Sequence, residues 1–153
     1  MLRLIPAGLH RLLYRFAHHV RRLAIRHVFS EIHGCALVVQ DDDGRLLLVR
    51  HSYGSRSWVV PGGGMKKGED PLAAARRELA EELSCTFAEA RLAAIQQDVF
   101  HGVPHVVHVV AGTISGTAQP DRREVMEARF FHRGEFPAEL SSVVARRLAA
   151  LEE

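Results

Sequence analysis

The sequence predicts an α/β fold in which helices cover the two faces of a mixed β-sheet. Short apolar runs of strand length and two stretches with helical apolar spacing follow one another in the order β-β-β-α-β-β-β-α. The chain has 153 residues, 47% of them hydrophobic and 25% charged, which is the size and composition of one globular domain. We therefore expect a single domain over residues 31–153, preceded by a basic arm over residues 1–30.

The arm differs from the rest of the chain in charge. It holds six of the 20 Lys and Arg residues and no acid, so the remaining 14 basic residues face all 18 acids and give the body a net charge of −4. Apolar residues at helical spacing between residues 9 and 28, with arginines opposite, predict an N-terminal amphipathic helix. The apolar stripe consists of Leu9, Leu12, Leu13, Phe16, Val20 and Leu23. Packing on the domain or in a homodimer, peripheral membrane contact through residues 9–28, polyanion contact and a transit peptide all remain open.

Three strands are expected before the first helix of the domain. Cys35–Gln40 and Arg45–Arg50 flank the turn sequence Asp-Asp-Asp-Gly and predict a hairpin. Ser57–Val60 is the third strand, ended by Pro61 and three glycines. Because glycine has no Cβ, residues 62–64 can turn sharply and expose backbone amides and carbonyls.

A helix is predicted from about Pro71 to Leu83. Asp70 is a suitable N-cap and proline is favoured at the first helical position. Leu72, Ala75, Leu79 and Leu83 form its apolar stripe. After it, strands are expected at Leu92–Ile95, Val106–Ala111 and Val125–Phe131, and a last helix from Pro137 onward.

Three carboxylates, those of Glu78, Glu81 and Glu82, project from one flank of the predicted helix. Like charges at this spacing destabilise a helix by a few tenths of a kcal/mol per pair. Arg77 can pair with Glu81, but one arginine does not neutralise the whole group, which includes Glu69. A divalent cation is the natural complement, and ligands that are all oxygen favour magnesium or manganese.

The same segment resembles the Nudix box, G-x5-E-x7-R-E-U-x-E-E-x-G-U, where U is a bulky aliphatic residue. The positions that match in register are Gly63, Glu69, Arg77, Glu78, Leu79, Glu81 and Glu82. Two positions depart: Ser84 replaces the final glycine, where a left-handed helix end is expected, and Cys85 replaces a larger aliphatic residue. The resemblance extends over residues 34–131 and implies a Nudix-type α/β/α sandwich for the domain.

The resemblance also implies an activity and a ligand set. Water would attack phosphorus in the diphosphate linkage of a nucleoside diphosphate joined to another moiety, with Mg²⁺ as cofactor and Mn²⁺ as a substitute. Glu78, Glu81, Glu82 and the Gly62 carbonyl would bind the metal, and the loop of Gly62, Gly63 and Gly64 would hold phosphate. Glu69 and Arg77 would orient helix and loop through a salt bridge. A small nucleotide is the expected substrate, and an RNA end, which carries the same diphosphate, is not favoured.

The general base stays open between Glu78 and a downstream carboxylate, for which Asp121, Glu124 and Glu127 are candidates. Glu124 opens the strand that follows it and is the favoured one, as a base or a metal ligand. His101, His105 and His108 are spaced by four and three residues, so a strand does not place all three on one face. A surface or substrate-contacting role is expected for them rather than a metal site.

Two other functions are compatible with a Nudix-type fold. A non-catalytic nucleotide-binding sensor with a Nudix fold would be marked by loss of box carboxylates, and all of them are present. A Nudix-fold isomerase needs an added cysteine and glutamate pair, which Cys85 is poorly placed to supply. Cys35 and Cys85 have no metal-ligand spacing and are expected to be buried free thiols, which favours the cytoplasm.

Overall fold

The computed structural model describes residues 30–149 and 151, so the predicted amphipathic helix of the arm lies outside the described residues. Within them, strands and helices follow the predicted order. The elements are β1 (Ile32–Gln40), β2 (Leu46–His51), β3 (Gly62–Gly64), α1 (Pro71–Leu83), β4 (Thr86–Phe100), β5 (Val103–Ser115), β6 (Val125–Phe131), a 3-10 turn (Arg133–Glu135) and α2 (Ser142–Ala149).

One mixed sheet organises the described residues. Its strand order is β4-β5-β1-β2-β6, with β3 paired to β1 beside the main path. β1 and β5 run parallel, whereas β1 with β2, β2 with β6 and β4 with β5 are antiparallel. The mixed sheet predicted from the sequence is therefore confirmed.

The two helices cover opposite faces of this sheet. On one face Leu79 and Leu83 of α1 are fully buried against Leu37 and Val39 of β1. On the other face Val144 of α2 is buried in a second core cluster formed by the alternate residues of the strands. Burying each such side chain contributes roughly 1.5–3 kcal/mol. The α/β/α layering is thus confirmed, and α1 packs on the sheet through its buried apolar face.

Both ends of α1 follow the sequence. The Asp70 carboxylate accepts a hydrogen bond from the Ala73 amide at 2.9 Å, and Pro71 occupies the first helical position. Ser84 ends the helix in the left-handed region at φ 52°, with its amide bonded to the Ala80 carbonyl. This conformation costs a non-glycine residue about 1 kcal/mol, which is the expected effect of replacing the final glycine of the motif.

The predicted third strand at Ser57–Val60 is wrong. Within it only isolated bridges form, between Val59 and Val49 and between Trp58 and Leu140, and the strand lies instead at the glycines of β3. A Cβ on Gly62 would lie 2.2 Å from the Cys35 carbonyl oxygen, so only a chain without side chains can approach β1 this closely. The expected sharp bend is in fact a short strand.

The strands β4 and β5 are much longer than predicted. The predicted segments Leu92–Ile95 and Val106–Ala111 are the middle parts of strands of 15 and 13 residues. Much of β4 is exposed, so its apolar periodicity is weak and gave no signal beyond the middle. No helix in residues 30–149 is long and apolar enough to cross a membrane.

Candidate active site

Two of the three clustered glutamates lie buried, one helical turn apart. The exposed fractions of Glu78 and Glu82 are 9% and 3%, although both are charged residue types. Glu81 is different: its side chain is 63% exposed and lies at the rim, 3.5 Å from Arg77 Nη1. The helix therefore brings Glu78 and Glu82 together under the glycines of β3 and leaves Glu81 outside this buried pair.

The glycines of β3 make room for these carboxylates. The backbone amide of Gly62 faces the carboxylate of Glu82 and lowers its pKa. A Cβ on Gly63 would lie 2.5 Å from Cδ and Oε1 of Glu78, so the carboxylate rests directly on the backbone of that residue. Gly62 thus reaches the site through its N–H, and the role predicted for its carbonyl oxygen as a metal ligand stays a prediction.

Arg77 ties the loop to the helix. Its Nε and Nη2 donate to the two carboxylate oxygens of Glu69 at 2.9 and 3.0 Å, which confirms the predicted salt bridge. The same Nη2 donates to the Gly64 carbonyl at 3.0 Å, and Nη1 donates to Glu78 Oε1 at 2.7 Å. Hydrogen bonds from Arg77 and from the Lys66 amide lower the pKa of Glu69 to about 2. One guanidinium therefore fixes both the glycine strand and Glu78.

Glu124 reaches the site from the loop before β6. The Tyr53 hydroxyl donates to Glu124 Oε1 at 2.8 Å, and the Asp121 carboxylate accepts the amide of Glu124, which shapes this turn. The third downstream candidate, Glu127, lies on β6 and pairs with Arg50 of β2. The charges of Asp121 and Glu124 raise the pKa of the buried Glu82, whereas Glu127 is paired with Arg50.

Burial and mutual repulsion make Glu82 hard to ionise. Burial, together with the charges of Glu78, Glu124 and Asp121, raises the pKa of Glu82 to about 9, against the lowering effect of the Gly62 amide. Burial also raises the pKa of Glu78, in opposition to Arg77. Oε2 of Glu82 has no hydrogen-bond partner among the described residues. A cation beside this oxygen would stabilise the buried carboxylate.

These residues fit a hard divalent ion in charge and in chemistry. Carboxylate oxygens are the ligands that Mg²⁺ and Mn²⁺ prefer. In the part of the chain that the structure describes, no three His, Cys, Asp or Glu side chains are already gathered at metal-binding distances. Arg77 donates a hydrogen bond to Glu78, and Tyr53 donates one to Glu124. The acidic side chains therefore surround the candidate metal site without forming a complete set of metal ligands.

Comparison with known proteins decides the family. The NUDIX domain family matches residues 33–151, which is most of the chain. The chain belongs to the Nudix family. An RNA pyrophosphohydrolase of Saccharophagus degradans is 38% identical over 61 residues, which are 40% of this chain and 36% of that protein. An ADP-ribose pyrophosphatase of Mycobacterium tuberculosis is 38% identical over 65 residues, 40% of this chain and 31% of that protein. The chain thus spans about a third of the length of these curated relatives.

Solved structures agree on the fold. A MutT Nudix hydrolase from Burkholderia pseudomallei superposes with a TM-score of 0.72 at 22% identity, covering 80% of this chain and 99% of that one. A UDP-X diphosphatase gives a TM-score of 0.62 at 17% identity, covering 89% of this chain and 70% of the other. At these identities the likeness establishes the Nudix fold alone.

A large groove opens beside the Nudix box. Its volume is about 1110 Å³, and its walls include the glycines of β3, Tyr53, His33, His105 and His108. His33 Nε2 donates to the Glu31 carboxylate at 2.9 Å, and its ring stacks against His108 with 5.8 Å between centroids. His105 lies across Gly34 instead, 2.8 Å from where a Cβ would be, and contacts the Phe100 ring.

Sequence reasoning missed Tyr53 and His33 as residues of the Nudix groove. Tyr53 lies in a loop whose path follows no periodic pattern. His33 meets His108 because β1 and β5 are parallel neighbours, a pairing between segments 75 residues apart. A parallel crossover of this kind leaves no local signal in the sequence. The free, buried state of Cys35 and Cys85, by contrast, was predicted and is confirmed.

Proposed function

We propose that this Nudix domain is a metal-dependent pyrophosphohydrolase that cleaves the diphosphate linkage of a nucleoside diphosphate joined to another moiety. The observation that carries the proposal is the buried Glu82 carboxylate, whose unpartnered oxygen lies beside the glycines of β3. A carboxylate that is costly to bury without a cation is a poor structural residue and a good metal ligand.

In this proposal Glu78 and Glu82 are the principal ligands of Mg²⁺ or Mn²⁺, with Glu81 and Glu124 at the margin of the set. The metal, when bound, supplies charge screening for the diphosphate and a lowered pKa for water. Gly62, Gly63 and Gly64 offer backbone groups to the phosphates with no side chains in the way. Arg77 keeps this backbone and Glu78 in a fixed relation, so that little reorganisation is needed when substrate binds.

We assign the proton-accepting role to Glu124 rather than to Glu78. Arg77 Nη1 donates to Glu78 Oε1 at 2.7 Å, and this charge partner opposes the larger rise that burial causes in the pKa of Glu78. The hydrogen-bond donor to Glu124 Oε1 is, by contrast, the neutral phenol of Tyr53. Glu124 also belongs to a loop rather than to the helix, so it can adjust its position toward a water molecule at phosphorus.

The names of the relatives support pyrophosphate chemistry and differ in substrate. One acts on RNA and one on ADP-ribose by their names. We favour a small nucleotide over an RNA end, because residues 31–153 carry a net charge of −4 and RNA binding draws on basic surfaces. The groove of about 1110 Å³ is large enough for a dinucleotide-sized ligand.

A substrate panel tests the proposal. The full chain is incubated with sugar nucleotides, dinucleoside polyphosphates, oxidised nucleoside triphosphates and 5′-triphosphorylated RNA, with Mg²⁺, with Mn²⁺ or with EDTA, and monophosphate or phosphate release is measured. We expect metal-dependent release from at least one small nucleotide. Metal-dependent binding of a nucleotide without turnover would contradict the hydrolase and favour a sensor, and turnover of RNA alone would contradict the small substrate.

A further inference from the structure

Exposed large hydrophobic side chains are concentrated on one strand. Among the described residues, those that are exposed are Leu92, Ile95, Val99 and Phe100, all of them on β4 at the edge of the sheet. Leu92, Ile95 and Val99 are 41%, 56% and 69% exposed. Single exposed apolar residues are ordinary, whereas a row of them on an edge strand marks an interaction surface.

Three of these residues share one face of the sheet. Register partners on antiparallel strands lie on the same face, and Leu92 and Ile95 pair with Val110 and His108 of β5, which alternate along that strand. Val110 belongs to the core under α1. We call Leu92, Ile95 and Val99 the β4 strip. The strip lies on the same face of the sheet as α1, beyond the part of that face that α1 covers.

Phe100 does not belong to the strip. Its ring contacts His105, whose side chain lies across Gly34 on the opposite face. Among the described residues on the strip's face, Phe87 is still buried in the core under α1, at 8% exposed, whereas Leu92 is exposed. The part of this face that α1 covers therefore ends between Phe87 and Leu92. The strip is therefore apolar surface that a further element of the chain or a partner can bury.

We propose that the apolar stripe of residues 9–23 packs on the β4 strip of the same molecule. The lengths agree. A helix from Leu9 to Leu23 rises about 21 Å, and the extended chain from Leu92 to Val99 covers about 23 Å. Each of the two surfaces is a row of apolar side chains, and on the β4 strip the row is interrupted by Gln97, whose partner Val106 lies on the same face.

The point at which the arm joins the domain favours contact within one molecule. Ile32 is in register with His105 of β5, and His105 is in register with Asp98 of β4, next to Val99. The arm therefore enters at the Val99 end of the strip, two strand spacings away, which is about 10 Å. Residues 24–29 can span up to about 20 Å when extended, which is enough to make this crossing.

A second copy of the chain is a weaker occupant of the strip. Pairing two β4 strips would leave the apolar stripe of residues 9–23 still without a partner. One contact between stripe and strip buries both surfaces, and it turns the arginines at positions 11, 15 and 22 toward water. The proposal is independent of the hydrolase activity, since neither surface includes a carboxylate of the Nudix box.

Hydrogen–deuterium exchange of the full-length chain tests this contact. We expect backbone amides of residues 9–23 to exchange at least tenfold more slowly than an unprotected chain, independently of protein concentration. The double variant Ile95→Glu, Val99→Glu should lose this protection, and so should Leu12→Glu on the other side of the contact. Arg91→Glu, an exposed position of β4 whose partner Ala111 lies on the opposite face, is the matched control and should keep it.

Three results would overturn the proposal. Residues 9–23 that exchange at the unprotected rate make no stable contact at all. Protection that rises with concentration, together with a dimer by light scattering that the double variant dissociates, assigns the strip to a second copy. Protection that survives the double variant but requires anionic vesicles assigns the arm to a membrane surface. The thermal midpoint of each variant is measured alongside to check that the domain remains folded. We expect a folded domain, because the substituted β4 residues are already exposed.

Discussion

The hydroxyl of Tyr53 donates a hydrogen bond of 2.8 Å to Oε1 of Glu124, and so links the loop after β2 to the loop before β6. The Tyr53 ring stacks on His51 with 5.1 Å between centroids, which fixes its orientation. Burial raises the pKa of the Tyr53 phenol, and the Glu124 charge raises it further, so the phenol keeps its proton and acts as a donor. The contact aims a loop carboxylate at the buried glutamates of α1.

Removing this hydroxyl should weaken metal binding while leaving the fold intact. Tyr53→Phe keeps the ring that stacks on His51 and removes only the donor. A hydrogen bond to a charged group contributes about 1.5–3 kcal/mol, so we expect Mn²⁺ affinity, measured by calorimetry or electron paramagnetic resonance, to fall by roughly tenfold. Unchanged Mn²⁺ affinity would show that the phenol does not position Glu124 for the metal.

Neutralising Glu82 should abolish turnover and not harm the domain. Loss of a residue that positions a metal ligand changes metal affinity or activity by about 10–100-fold. Loss of a direct ligand should have a larger effect, so we expect Glu82→Gln to lower turnover on the order of 100-fold or more. The metal-free variant should have a thermal midpoint at least as high as the wild type, because a buried carboxylate with an unpartnered oxygen is removed. Wild-type turnover in this variant, on a substrate found by the panel, would refute the assignment.

A methyl group at position 63 tests the close approach of helix and strand. The Cβ of Gly63→Ala would lie 2.5 Å from the Glu78 carboxylate, so either Glu78 or the backbone of β3 must move. We expect a loss of Mn²⁺ affinity of tenfold or more by titration, with a reduced thermal midpoint. Gly134→Ala is the matched control, since a Cβ there meets nothing within 4 Å, and it should behave as wild type.

The box could be predicted almost completely from the sequence because its determinants are local. Helical spacing places Glu78 and Glu82 one turn apart whatever surrounds them, and Asp70 and Pro71 set the start of the helix. The exposure of Glu81 follows from the same spacing, because at about 100° per residue Glu81 lies opposite the apolar stripe that α1 packs on the sheet.

What the sequence could not give is the pairing of distant segments. The glycines of β3 form a strand because β1 is beside them, and the same residues alone predict a bend. Likewise Tyr53 and Glu124 are in contact although 71 residues separate them in the chain, and the local sequence of neither loop predicts this contact. Tertiary neighbours decide such contacts, so local propensity fails at the positions where the site is assembled.

The guanidinium of Arg77 is expected to be irreplaceable by an ammonium group. Its fork satisfies Glu69, Gly64 and Glu78 together, and a lysine offers one point of charge without that geometry. For Arg77→Lys we expect turnover to fall by about 10–100-fold, as for other residues that orient a ligand, with little change in substrate affinity. Arg76→Lys, at the exposed neighbouring position, provides the control in the same assay.

Asp98 should give the domain a stability that depends on pH. Its Oδ2 accepts from Nη2 of Arg147 at 2.9 Å, and Arg147 is 5% exposed. Partial burial raises the pKa of Asp98, but hydrogen bonds from the Val99 amide and Arg147, with the charge of Arg146, lower it overall. An acid with a depressed pKa in the folded state adds stability that is complete above its unfolded pKa and is lost as pH falls through the folded value.

Asp98→Asn should therefore lose about 3 kcal/mol of unfolding free energy at pH 7, because it leaves a buried guanidinium without its charge partner. The difference from wild type should shrink as pH falls below 3.8, the ordinary pKa of an aspartate, and through the lower pKa of the folded state, where the wild-type carboxylate also takes up a proton. Urea unfolding at pH 7 and at successively lower pH measures both quantities. Glu89→Gln, at an exposed position of the same strand, should match wild type at every pH, and a difference at Asp98 that stayed constant with pH would exclude the charge as its cause.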